Sequence, residues 1–131
     1  MANLSKINRL LVDLTRATVE GQLLWVRANP PLELTSGTHD VVPTYYEATR
    51  KEHKIALFVR RFQTFSGEYE QFFWQERLVF AFLDSSRRIS WDHSDYSPGL
   101  QNLFDAVKEK NANVDGLIDD LLSDEPPKAT G

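Results

Sequence analysis

The chain predicts an α+β domain: an N-terminal helix, an antiparallel meander sheet of four to five strands, and two C-terminal helices packed on one sheet face. Three observations predict it. Apolar residues recur with a helical period before Gly21. Between residues 22 and 91 the pattern changes to short runs rich in β-branched and aromatic residues, separated by turn chemistry. After Ser97-Pro98 the helical period returns. A length of 131 residues with 41% hydrophobic content fits one domain able to bury its own core without staples. We place that domain at residues 1–123 and a disordered acidic, proline-bearing tail at 124–131.

The first helix carries Leu4, Ile7, Leu11, Leu14 and Thr18 on one stripe, flanked by Leu10 and Ala17. Asn3 or Ser5 can cap its start, and Gly21 suits a left-handed residue just past its end. Residues 22–28 read as a strand stopped by Asn29-Pro30-Pro31. Residues 32–42 read as a loop. Strands follow at 44–50 and 55–62, joined by a turn at Lys51-Glu52-His53. A fourth covers 78–83, and Asp84-Ser85-Ser86-Arg87 turns it into a fifth at 89–91. Residues 67–77 fit either a helical turn or the outer half of a long ribbon turning at Ser66-Gly67. Their aromatic density favours the strand. Pro98 in the first turn opens the next helix, with Leu100, Leu103, Phe104 and Val107 inward. Asn113 caps the last one, whose Val114, Leu117, Ile118, Leu121 and Leu122 are expected inward, with Gly116 costing it about 1 kcal/mol relative to alanine.

An antiparallel sheet covered on one side should alternate apolar and polar residues. This one carries large apolar groups on both faces: Val59 against Phe58, Val79 and Leu83 against Phe80 and Phe82, Trp25 against Leu24 and Val26. Either the sheet curls and buries both faces within the monomer, or the second face is a contact surface, in the simplest case for a homodimer. The sequence favours neither.

Composition narrows the chemistry. The absence of cysteine excludes disulfides, thiolate metal sites and a thiol nucleophile. A net charge of −4, with Asp115, Asp119, Asp120, Asp124 and Glu125 gathered near the C-terminus, disfavours duplex nucleic acid. No apolar run approaches the ~20 residues of a membrane-spanning helix, and the N-terminus lacks the apolar core of a secretory signal, so a cytoplasmic protein without a membrane partner is expected.

Five constellations of residues carry candidate chemistry. Asp40 with Glu52-His53-Lys54 has the acid…acid-x-lysine order of restriction-endonuclease-like metal sites, but a polar turn explains it more simply. His39, His53 and His93 lack ligand spacing; Asp92-His93-Ser94-Asp95 reads first as a loop whose Asp95 or Ser97 caps a helix. No nucleophile elbow or phosphate-binding glycine loop is present, and a triad drawn from Ser94, His93 and Asp40 is geometrically poor. Trp25, Arg27, Tyr46, Arg60, Arg88 and Trp91, with Tyr45, Arg50, Phe58 and Phe62 nearby, form the best candidate ligand-binding set. Arginine forks a phosphate and aromatic rings stack a base, although core aromatics with arginines at their rim are the simpler reading. The acidic last helix can dock on a basic partner or simply be a solvated face, and the solvated face is the better reading.

The sequence therefore leads to a small non-enzymatic cytosolic module acting through protein contact in a regulatory or inhibitory role, with a protein partner or its own copy, and with no cofactor or metal. The alternatives are a binder of a small anionic ligand such as a nucleotide and, last, a metal-dependent nuclease.

Overall fold

A computed structural model describes residues 4–123. The Asn3 cap and the 124–131 tail lie outside them. The order is α1 (Leu4–Val19), β1 (Val26–Arg27), a 3-10 turn (Leu32–Leu34), β2 (Val41–Arg50), β3 (His53–Ser66), β4 (Gln71–Leu83), β5 (Ile89–His93), α2 (Pro98–Ala112) and α3 (Val114–Leu122). The strands form one antiparallel sheet in chain order, β1-β2-β3-β4-β5. Each strand pairs with its sequence neighbour, the shortest connection available to an antiparallel sheet. The α+β class and the meander are as the sequence predicts.

One sheet face is the main core. Ile7, Leu11, Leu14 and Ala17 of α1 and Leu100, Leu103, Phe104 and Val107 of α2 close over Tyr46, Ala48, Ile55, Leu57 and Phe80. Trp25 joins this core, its indole N–H donating to the Thr18 hydroxyl at 3.0 Å. That bond satisfies the one polar atom a buried tryptophan brings.

The opposite face is also buried, which accounts for the failed alternation. Leu34 of the 3-10 turn settles on Tyr45, Ala56, Phe58, Val79, Ala81 and Leu83, with Ala28, Val42 and Ile89 at the margin. A loop supplies this cover, not a helix. It is tied down by polar contacts from the β4–β5 turn. Arg87 donates to the Glu47 carboxylate at 2.8 Å and to the Asn29 carbonyl at 2.9 Å, and the Ile89 N–H donates to Glu33 at 2.8 Å. The Tyr45 hydroxyl, pushed up by burial and then by its bond to the same Glu47 carboxylate, remains the proton donor of that pair.

Four local expectations change. The first strand shrinks to Val26–Arg27, because the N–H groups of Gln22 and Leu23 turn back to the Ala17 carbonyl at the end of α1. β2 begins earlier, at Val41, with its register broken between Val41 and Thr44. Pro43 lies in that break and has no N–H for a ladder bond. The β2–β3 turn tightens to Lys51 and Glu52, both at positive φ between paired Arg50 and His53, a two-residue hairpin of the primed type. The fourth change is the largest. α3 buries none of its residues, and Leu117, Ile118, Leu121 and Leu122 face solvent. Asn113, in the left-handed region, ends α2 and turns the chain away while α1 and α2 already fill the sheet face. The Asn113 side chain lies over Gly116, so close that a Cβ there would displace it, which gives that glycine a packing reason.

Candidate contact surface

The six residues of the sequence-derived ligand set are not brought together. Trp25 and Tyr46 are core residues of the helix-covered face, Tyr46 with its ring edge toward Phe104. Trp91 is half-buried, tilted against Phe82 and stacked parallel to His93 at 6.0 Å. Arg27 lies on the edge strand, and its guanidinium donates to the Pro43 carbonyl at 3.4 Å. Arg60 stands on the opposite face, paired with Asp40. Arg88 is exposed in the β4–β5 turn, where its backbone N–H donates to Asp84; its neighbour Arg87 makes the side-chain contacts.

The acid…acid-x-lysine order also disperses. Asp40 and Glu52 flank the ten-residue β2 at opposite ends, which at ~3.3 Å per residue separates them by roughly 30 Å. Among the described residues, no group of three or more His, Asp or Glu side chains could hold a metal ion. No described helix is long and apolar enough to cross a membrane.

The His93 loop is built for local order. The Asp95 carboxylate accepts the Ser97 N–H at 2.8 Å and the Ser97 hydroxyl at 2.6 Å, and its other oxygen meets His93 Nε2 at 2.6 Å. Burial alone would push this carboxyl up. The Ser97 hydroxyl and N–H, then His93, outweigh it and hold Asp95 below the usual carboxylate range. Asp95 sits between serine and histidine, so the serine has no imidazole base; the arrangement fixes the start of α2. A carboxyl depressed on folding stabilises above its unfolded pKa, and that stability is lost as pH falls through the folded value. Asp95→Asn therefore destabilises at pH 7, by about 1 kcal/mol as for a lost helix-start contact. The gap to wild type closes below the ordinary value of 3.8. Urea unfolding of both proteins across pH checks this, and a gap constant down to strongly acidic pH would contradict it.

The feature that the candidate chemistry missed is the outer half of the β3–β4 ribbon. The two strands run in unbroken register from Lys54↔Leu83 to Ser66↔Gln71. Their inner halves lie in the two cores. Beyond Arg60↔Arg77 the ribbon projects past both covers, yet its composition stays aromatic. Phe65, Phe72, Phe73, Trp74 and Tyr69 are between 42% and 64% exposed, whereas Phe58 and Phe80 at the inner end are sealed. Opposed residues in an antiparallel pair share a face. Phe65, Phe72 and Trp74 therefore continue the helix-side face, and Phe62 and Phe73 the other. Phe65 packs on Phe72 at 5.2 Å, and Tyr69 meets Phe73 edge-on at 6.2 Å. At the base, Arg61 pairs with Glu76 and the Arg77 guanidinium lies over the Phe62 ring at 5.2 Å. The strand expected for residues 67–77 is present from Gln71, after a turn at 67–70. The readable signal was an uncharged aromatic run beside a glycine turn, in a stretch that no helix was left to cover.

No family model, no curated protein and no solved structure matches this chain.

Proposed function

We propose that this protein is a cytosolic, non-enzymatic module that works by protein contact, with the outer half of the β3–β4 ribbon as its contact surface. The single observation that carries this is the exposure of five aromatic side chains on a two-stranded projection. An isolated hairpin is marginal in water and needs a third strand or a packed face to be held. At 150–250 Å² per aromatic side chain, half-exposure of Phe65, Phe72 and Trp74 leaves roughly 250–450 Å² of apolar surface on the helix-side face, with Phe73 and Tyr69 adding a smaller patch on the other. The larger patch lies in the ~300–600 Å² range of the largest patch on a typical monomer, which is often a functional one. Aromatic residues are also the ones enriched at the centre of protein–protein interfaces.

A photo-crosslinking amino acid at position 72, in living cells, tests this. Ribbon contact predicts protein adducts from position 72 and none from position 96, where Tyr96 is more open, at 85% against 64%, but lies off the ribbon. Absence of adducts from position 72 would end the contact reading.

A further inference from the structure

We propose that the protein seated on this ribbon is a second copy of the chain, joined about a two-fold axis along the open edge of β4 between residues 71 and 77. The proposal rests on the contact reading above and names its partner.

The edge is the first reason. β5 pairs with β4 only from Leu83 to Phe80↔His93, and the Leu78 carbonyl is then taken by the Ser94 hydroxyl at 2.8 Å. Backbone groups along a strand point alternately to its two sides. Glu76, Trp74 and Phe72 therefore turn their N–H and C=O the same way as Leu78, where no strand among the described residues continues the ladder. On the other side of the ribbon β2 stops at Val41↔Arg61, so the open edge of β3 is shorter.

The second reason is the lack of protection. Exposed edges are normally blunted by charge, proline or a bulge. From Gln71 to Gln75 this edge has no charged residue and no proline, and its register is continuous.

The third reason is that an antiparallel edge is complementary to itself. A two-fold axis perpendicular to the sheet, midway between two β4 edges, joins two ribbons into a four-stranded sheet and brings Phe72, Phe73 and Trp74 of each copy beside those of the other. Edge pairing leaves both faces of the ribbon open, so what it adds is a ladder of backbone hydrogen bonds and cross-strand contacts among these side chains on each face. A lipid surface is the poorer fit, because Glu68 and Glu70 at the tip would meet the bilayer first.

The test is sedimentation and native mass spectrometry of the full chain from submicromolar to submillimolar concentration. The expected result is a dimer. Phe72→Lys combined with Trp74→Lys alters only exposed positions, so at concentrations low enough for both proteins to be monomeric its melting temperature stays near wild type. Its dimer dissociation constant rises at least about 30-fold, as for loss of one central anchor or more. Because the chain has no cysteine, single cysteines introduced across 71–77 map the axis. Disulfide-linked dimer peaks at one β4 position, and Thr64→Cys on β3 gives none. A wild type monomeric throughout, a dimer indifferent to the double lysine variant, or cross-linking from β3 alone would each overturn the proposal. So would a monomer that floats with phosphatidylcholine vesicles. A monomer whose position 72 still captures a different protein in cells overturns the second copy and leaves the contact reading standing.

Discussion

Replacing Phe80 by alanine lowers the unfolding free energy by about 3–5 kcal/mol. Phe80 is fully buried, paired across the ladder with Leu57, and has its ring edge-on to Phe82 at 5.3 Å. It lies in the core closed by α1 and α2. Two helices held against each other and against a sheet collapse little into a cavity, so the loss combines transfer of the ring with the void it leaves. A domain of this size has about 5–15 kcal/mol in total, so the variant falls to marginal stability and its melting temperature drops by roughly 10–20 °C. Urea unfolding measures it. A loss under about 1.5 kcal/mol would mean that this core repacks freely.

Phe58→Ala, on the other face, costs less, about 3 kcal/mol, the low end for a buried phenylalanine, and its effect is local. Phe58 is as buried as Phe80 and tilts against Tyr45 at 5.7 Å. Its cover is the segment around Leu34, anchored at Asn29 and Glu33 through the β4–β5 turn and at Asp40 through Arg60. A loop fastened at points settles into a void more readily than a helix pair does. Hydrogen exchange of residues 29–40 should speed up in this variant and stay unchanged in Phe80→Ala. Equal costs with unchanged loop exchange would show a rigid cover instead.

These two faces also show what the sequence can convey. α1, α2 and the ribbon strands were readable because each period repeats within one element: Ile7, Leu11 and Leu14, or Leu100, Leu103 and Val107. The second core was readable only as an anomaly, large residues where alternation required polar ones. Its resolution lay in Leu34, the buried one of two leucines in a segment without period, whose partners are distant in the chain. α3 shows the opposite failure. Its stripe is clear, but a stripe says only that something covers it, not that the sheet does. The candidate ligand set failed for a related reason. Neighbours in sequence alternate between faces of a strand, so Arg60, on the face of Phe58, does not share a surface with Tyr46 or Trp25 on the helix-covered face. The ribbon was legible as strand, but its exposure was not, because exposure depends on where the covers end.

The packing of α1 on α2 has a consequence for how the protein is made. Leu11 lies against Gly99, so the first helix to leave the ribosome is completed by the second-to-last element of the fold. At about 5–20 residues per second, α1 waits on the order of ten seconds, its apolar stripe uncovered, while the meander zips up strand by strand behind it. The sheet can nucleate early through sequence-adjacent pairings. The helix-covered core cannot close until α2 has emerged, and through that interval the stripe of Ile7, Leu11 and Leu14 is the part of the nascent chain most in need of a chaperone.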